Sequence, residues 1–241
     1  MPALGALLTP SATILRTAGL FWLAALLSLG LVACDPAPPP ATSIELASDY
    51  QDLALLDRAW RLPAARFYRD RFEYQINGAF CGPATVVNLF RSLDRPGRTQ
   101  AHLFDHAPWR YWKTRLLGLT LDEVAEIIRA DAGLEVAVLR DLTLEAFQEH
   151  LRRSNDPAYR YLINFDRHPL FGVNIGHHSP IGGYLADRDL VFVLDVLERY
   201  RPFLVPSRRL YEAMDTVDRE TGKKRGLLQV QKIADHAPEN R

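Results

Sequence analysis

Residues 80–93 read Phe80-Cys81-Gly82-Pro83-Ala84-Thr85-Val86-Val87-Asn88-Leu89-Phe90-Arg91-Ser92-Leu93. The spacing predicts a helix over Gly82–Leu93. Pro83 falls in the first turn, where its missing N–H forfeits no hydrogen bond, and Ala84, Val87 and Phe90 recur at helical spacing. A cysteine therefore stands at the leading edge of an apolar helix. Unpaired N–H groups there carry roughly half a positive charge, which favours thiolate over thiol. Placement alone does not separate a nucleophile from a small buried hydrophobe. The rest of the chain must supply a base and a group that orients it.

Outward from this helix, Thr120-x-x-Glu123 has the form of a capping box, with Val124, Ile127 and Ile128 on one face behind it. Val136–Leu139 predicts a strand, and Thr143 opens a helix through Phe147, His150 and Leu151. The period then changes. Tyr161–Phe165 reads as a short strand, Ser179–Leu185 contains Gly182-Gly183, and the unbroken apolar run Leu190–Val196 reads as a buried central strand. Ser207 is expected to cap a helix carrying Leu210, Met214 and Val217, and Leu227–Val230 to form the last strand. Residues 44–72 read as irregularly helical, and the cluster Trp109-Arg110-Tyr111-Trp112 is expected in the core. Helices first and antiparallel strands later describe an α+β domain. No linker breaks residues 44–233, so they are expected to form one domain, with 234–241 as a tail.

The 241 residues are 48% hydrophobic and 24% charged, enough for a packed core. Lys plus Arg and Asp plus Glu are both 29, so no basic excess exists to follow a phosphate backbone and a nucleic-acid binder is excluded. Residues 1–33 carry one charge, Arg16, ahead of an apolar run from Ala18 to Ala33. That run is shorter than the about 20 residues a spanning helix needs and reads as an export signal. It ends in Leu31-Val32-Ala33-Cys34, which resembles a bacterial lipobox, with Cys34 as the acylated first residue of the mature protein. Residues 34–43, with Pro36, Pro38, Pro39 and Pro40, then form a stiff tether. The expected location is the bacterial cell envelope, on the periplasmic side of the inner membrane, because Asp35 follows the cysteine. With Cys34 acylated, the domain keeps one thiol, Cys81.

Candidates to work with that thiol lie far along the chain. His177 sits in Gly176-His177-His178-Ser179-Pro180, and Asp195 ends an otherwise apolar stretch. Gln75, six residues before Cys81, can donate an amide N–H to an oxyanion. Together Gln75-x5-Cys81-Gly82, Gly176-His177-x-Ser179-Pro180-Ile181-Gly182-Gly183-Tyr184 and Leu194-Asp195-Val196 resemble the phytochelatin synthase family, as does Tyr211–Asp215 with Thr221–Gly226 after it.

The resemblance implies a papain-like fold. It assigns Cys81 as nucleophile, His177 as general base and acid, Asp195 as the residue orienting the imidazole, and Gln75 as an oxyanion donor beside the Cys81 N–H. It also implies glutathione, or its metal thiolate, as substrate. The Cys–Gly amide is cleaved through a γ-glutamylcysteinyl thioester, resolved by water or by a second glutathione. Gly176, Ser179 and Gly182 are expected at the substrate, and Arg199 or Arg201 at its carboxylate. The family usually shows an Arg where this chain has Glu198, and no cysteine follows Cys81, so hydrolysis to γ-glutamylcysteine and glycine is expected to dominate. No cofactor is required on this reading. Cadmium or zinc enters only as a metal-thiolate substrate or an activator, and a dimer is an allowed oligomer. His102 and His106 read as structural or surface residues, with no metal site assigned. Two other readings compete: a related peptidase acting on another small peptide, and a lipoprotein binding module without turnover.

Overall fold

The computed structural model describes residues 43–95 and 97–233. The export signal, Cys34, the tether up to Thr42, Pro96 and the tail 234–241 lie outside the described residues. The described chain forms α1 (Leu53–Trp60), α2 (Cys81–Ser92), α3 (Pro108–Leu117), α4 (Leu121–Arg129), β1 (Leu134–Leu139), α5 (Leu144–Arg153) and β2 (Tyr159–Asp166). After these come α6 (His168–Phe171), β3 (Gly176–Leu185), β4 (Leu190–Val193), β5 (Phe203–Pro206), α7 (Ser207–Met214) and β6 (Gly226–Lys232). All six strands join one antiparallel sheet in the order β1-β6-β2-β3-β4-β5. The α+β class expected from the sequence is the class observed.

Alternation along β2 divides the core between the two faces of the sheet. Leu162, with Leu228 and Val230 of β6, packs against Phe80, Leu89 and Phe90 around α2 and against Val124 and Ile128 of α4. Tyr161, Ile163 and Phe165 face the other way, onto Phe147 and Leu151 of α5 and Leu210 of α7. Each fully buried aromatic or aliphatic side chain contributes about 1.5–3 kcal/mol by leaving water. The Thr120 capping box is present in both directions, Thr120 Oγ1 accepting from Glu123 N at 3.2 Å and Glu123 Oε2 from Thr120 N at 2.9 Å. It starts α4 and holds the segment before it against the sheet.

Helix α2 starts at Cys81, one residue before the predicted boundary, and every residue of it except Arg91 is buried. Asn88 clamps the preceding segment to it. Its Nδ2 donates to Glu73 O at 2.8 Å and to Ala84 O at 2.9 Å, and its Oδ1 accepts from Glu73 N at 2.9 Å.

Three local expectations are corrected. The run Leu190–Val196 holds the buried, interior strand expected of it, but a shorter one. Strand β4 covers only Leu190–Val193, between β3 and the edge strand β5, and its unbroken apolarity follows from cover on both faces. Ser207 is the first residue of α7 rather than its cap, because its hydroxyl is engaged by Gln148 Nε2 at 2.9 Å. In the aromatic cluster only Tyr111 turns inward, edge-on to Phe80 at 5.5 Å, whereas Trp109 and Trp112 are 67% and 63% exposed.

Candidate active site

Antiparallel pairing sets Phe165 opposite His177 and Asn164 opposite His178, so the two neighbouring histidines of β3 go to opposite faces. Phe165 meets the His177 ring edge-on at 5.5 Å. Asp195 lies just past β4, where Leu194 N still donates to Pro180 O of β3 at 2.9 Å. That pairing brings its carboxylate to the His177 imidazole, with His177 Nε2 3.0 Å from Asp195 Oδ1. On its other side the imidazole hydrogen-bonds the thiol of Cys81, to which the His178 N–H also donates. Helix α2 packs on β3, and this contact brings Cys81 to His177. Cys81, His177 and Asp195 are 7%, 3% and 0% exposed.

The electrostatics follow from this order. Burial pushes the Cys81 thiol up, but the His177 hydrogen bond and charge outweigh it and hold the thiol below its ordinary value. Burial pushes His177 down, and the Asp195 carboxylate reverses that, holding the imidazole above its ordinary value. Burial pushes Asp195 up, and His177, then Arg167 and the Leu197 N–H, hold it well below the carboxylate range. The arrangement favours a thiolate–imidazolium pair.

Arg167 is a member of this constellation that the sequence reading missed. It stands between β2 and α6, fully buried, and its Nη2 donates to Asp195 Oδ1 at 2.9 Å and Oδ2 at 2.8 Å. Its guanidinium lies over the Tyr200 ring at 4.1 Å, with Phe171 at 5.3 Å and Phe165 at 5.7 Å. Leu197 N adds a bond to Asp195 Oδ1 at 2.8 Å. A buried carboxylate needs such partners, since desolvation otherwise neutralises it. An aromatic neighbourhood at positions 165, 171 and 200 is the one sequence signal for Arg167, and it becomes legible only once those positions are known to converge.

Cys81 also lines a cavity of about 420 Å³, with Gly78, Ala79, Leu116–Leu119, Asn164, Asp166, Asn174, Gly176, His178, Asp218 and Arg225 among its other walls. The cavity is polar at one end. Arg225 Nη1 donates to Asp218 Oδ2 at 3.0 Å and to Asn164 Oδ1 at 3.2 Å, and its Nη2 lies 4.0 Å from Asp166 Oδ2. Gly176 is required beside it, since a Cβ there would come within 2.5 Å of Arg225 Nη1. His178 is buried on this side. Its Nε2 donates to Leu119 O at 2.8 Å, and burial lowers its pKa to about 4, so the ring is neutral.

The remaining sequence candidates divide. Gln75 N donates to Val196 O at 2.8 Å, tying its segment to the strand end that carries Asp195, and its Nε2 donates to Asn77 O at 2.7 Å. An amide nitrogen has a second hydrogen to give. Gly176 is on the cavity wall, but Ser179 and Gly182 are in the sheet interior. Ser179 is fully buried, and a Cβ on Gly182 would lie 2.6 Å from Phe192 Cδ1. Arg199 is exposed and lies 3.5 Å from Glu45, and Arg201, with φ 55°, is exposed at a turn. Neither arginine lines the cavity, and Arg225 and Arg219 are the cationic residues there.

The thiol stands at the start of a buried helix, set against an antiparallel sheet that carries histidine and aspartate. In a search of solved structures the peptidase domain of Streptococcus ComA, a bifunctional ABC transporter, aligns with a TM-score of 0.45 and 17% identity, over 66% of this chain and 96% of that one. Curated relatives include glutathione gamma-glutamylcysteinyltransferase 3 of Lotus japonicus, 30% identical over 82% of this chain and 43% of its own length. The wheat (Triticum aestivum) glutathione gamma-glutamylcysteinyltransferase 1 is 33% identical over 66% of this chain and 34% of its own. The chain thus spans less than half the length of these relatives. The phytochelatin synthase family model matches residues 38–227, a span that contains Gln75, Cys81, His177 and Asp195 together with both walls of the cavity, and the chain belongs to the phytochelatin synthase family.

Proposed function

We propose that the chain cleaves the Cys–Gly amide of glutathione by acyl transfer to Cys81 and releases the product chiefly by hydrolysis. The observation that carries this reading is the Cys81–His177–Asp195 alignment at a cavity whose lining also holds both signs of charge. A γ-glutamyl group ends in an α-amino acid, and Arg225 with Asp218 and Asp166 suits its carboxylate and ammonium.

In the first step the Cys81 thiolate attacks the Cys–Gly carbonyl carbon. The C–S bond forms, and the carbonyl electron pair moves to oxygen. The Cys81 N–H at the helix start and the Gln75 amide are the donors for that oxyanion. As the C–N bond breaks, imidazolium His177 gives its proton to the departing glycine nitrogen. Neutral His177 then takes a proton from water, whose oxygen attacks the thioester, and γ-glutamylcysteine leaves as Cys81 returns to thiolate. Asp195 and Arg167 hold the imidazole in register throughout.

Transfer to a second glutathione needs positive groups fixed near the thioester, because the acceptor must outcompete water by positioning. None of Glu198, Arg199 and Arg201 lines the cavity, which supports water as the usual acceptor. Cadmium or zinc would act as part of a thiolate substrate rather than as a resident cofactor. The location that goes with this reading is the periplasmic side of the inner membrane, through acylated Cys34; Cys34→Ser is expected to abolish fatty-acid labelling of the chain.

The test is chromatography of thiols and amines after incubation with millimolar glutathione, with and without cadmium. Glycine and γ-glutamylcysteine in equal amounts are expected, and both disappear in Cys81→Ala. Oligomers of γ-glutamylcysteine dominating at early times would overturn hydrolysis, and undiminished glycine release by Cys81→Ala would overturn the mechanism.

A further inference from the structure

We propose that the outward face of α3 is a membrane-contact surface, resting on the bilayer to which the chain's own N-terminal segment tethers it. The inference rests on the lipid-anchored location put forward above.

Helix α3 reads Pro-Trp-Arg-Tyr-Trp-Lys-Thr-Arg-Leu-Leu over residues 108–117. Its inward contacts are few: Thr114 is its one buried residue, and Tyr111 packs on Phe80 and Phe104. Trp109, Trp112 and Leu116 recur at i, i+3 and i+7, which is one stripe of a helix. That stripe faces out, with Leu116 80% exposed beyond the two indoles. Large contiguous apolar patches on a folded surface mark a contact site. The stripe continues to the mouth of the cleft, since Leu116 and Leu117 line the cavity and exposed Ile175 lines it as well.

The composition favours lipid over protein as the occupant. The helix carries Arg110, Lys113 and Arg115 and no acid. Tryptophan and leucine on one face with Lys and Arg beside them is the pattern of a helix lying in the headgroup layer, where indoles find both apolar and wet surroundings and long cationic stems reach the phosphates. Arg110 and Lys113 pair with Glu126 and with Glu123 and Glu220, whereas among the described residues no acid engages Arg115. Distance favours the bilayer too. Acylated Cys34 opens a ten-residue, proline-rich tether (34–43), about 31 Å when extended at about 3.1 Å per residue, so on this reading the membrane is a permanent neighbour. No helix among the described residues is long and apolar enough to cross a membrane. The contact is therefore one of lying on the surface.

The test reconstitutes the full chain in vesicles of phosphatidylethanolamine and phosphatidylglycerol, with or without brominated acyl chains. A Trp22→Phe background removes the indole of the apolar run. Blue-shifted emission quenched by the brominated lipid is expected, with at least half of the quenching lost in Trp109→Phe/Trp112→Phe. Glycine release by that double variant in detergent solution should match the parent. Flotation reads the anchor separately. A chain that floats with its vesicles yet shows no quenching from Trp109 and Trp112 overturns the docking face while leaving the anchor in place. Quenching that persists in unacylated Cys34→Ser, held to the vesicle by its retained apolar run, upholds the face. No flotation of the wild-type chain overturns the proposal, as does an unquenched face whose double variant converts a dimer to a monomer in ultracentrifugation, which would assign the stripe to a second copy.

Discussion

His177 and His178 are adjacent on one strand and equally buried, yet the surroundings drive them to opposite protonation behaviour. On the side of His177, the Asp195 carboxylate, hydrogen-bonded by Arg167 from behind, raises the imidazole above its ordinary value. On the side of His178, the nearest partner is a backbone carbonyl and the nearest charge, after His177, is Arg225, so burial prevails and the pKa falls to about 4. Burial alone thus decides nothing about a histidine. The charge that burial traps beside it does. A period of two turned one residue toward a buried anion and the next toward a backbone carbonyl and a wall that carries both signs of charge.

The largest effects come from breaking the charged side. Cys81→Ala is expected to abolish glycine release, and His177→Ala to cost nearly as much, because nucleophile and base act as a unit, worth about 10⁶ in kcat in a comparable triad. Asp195→Asn should cost about 10⁴, by misdirecting the imidazole tautomer while the fold persists. Initial rates of glycine release at saturating glutathione check all three. A loss smaller than tenfold in Asp195→Asn would mean that Arg167, and not the carboxylate, orients the ring. Gln75→Ala should lower kcat by about 10²- to 10³-fold with little change in KM, because an oxyanion exists only in the transition state.

Arg167 sharpens the comparison. Arg167→Met strips the buried Asp195 carboxylate of its two guanidinium hydrogen bonds, leaving only His177 and the Leu197 N–H, and should destabilise the fold by about 3–5 kcal/mol in denaturant unfolding. Arg167→Met/Asp195→Asn should regain most of that stability without regaining activity. The pH profile of Cys81 alkylation gives a second readout. In the wild type the rate should stay high well below the ordinary thiol value of about 8.5 and fall on the acid side as the depressed thiol protonates. In His177→Ala the midpoint should move up, since burial then acts on the thiol without its hydrogen bond.

The smallest effects belong to the neutral side. His178 is neutral in the fold until pH falls to about 4 and protonates near 6.5 when unfolded, so between those values the unfolded chain binds the extra proton. Stability from this group is complete above pH 6.5 and is lost as pH falls toward 4. His178→Gln should flatten that slope, read as unfolding free energy against pH, while changing kcat less than tenfold. Gly176→Ala should act on the same wall by displacing Arg225, raising KM for glutathione with little change in kcat.

Much of this molecule was legible in its sequence wherever a local rule coincided with a tertiary need. The Thr120 box, the helix at Cys81 and the strand runs each follow from hydrogen-bond satisfaction or periodicity, and the structure has them within a few residues. The convergence of Cys81, His177 and Asp195 was legible through motif resemblance, since nothing local makes distant residues meet. Arg167, Arg225 and Asp218 were not legible, because a charged residue at a strand end or in a turn looks the same whether it faces water or a buried partner. The exposed indoles of α3 ran the other way. Hydrophobicity predicted burial for Trp109 and Trp112, and a helix that packs through Tyr111 and Thr114 leaves them outside.

The split of the triad between α2 and the sheet makes reactivity a property that arrives late in folding. The helix that bears Cys81 precedes the strands that bear its partners by far more chain than any local element spans, and β6, which completes the middle of the sheet, comes after all the other described elements. Until that sheet closes, Cys81 is an ordinary thiol, mostly protonated at neutral pH and a poor target for oxidants. The unfolded chain therefore carries this thiol disarmed and arms it when helix and sheet dock.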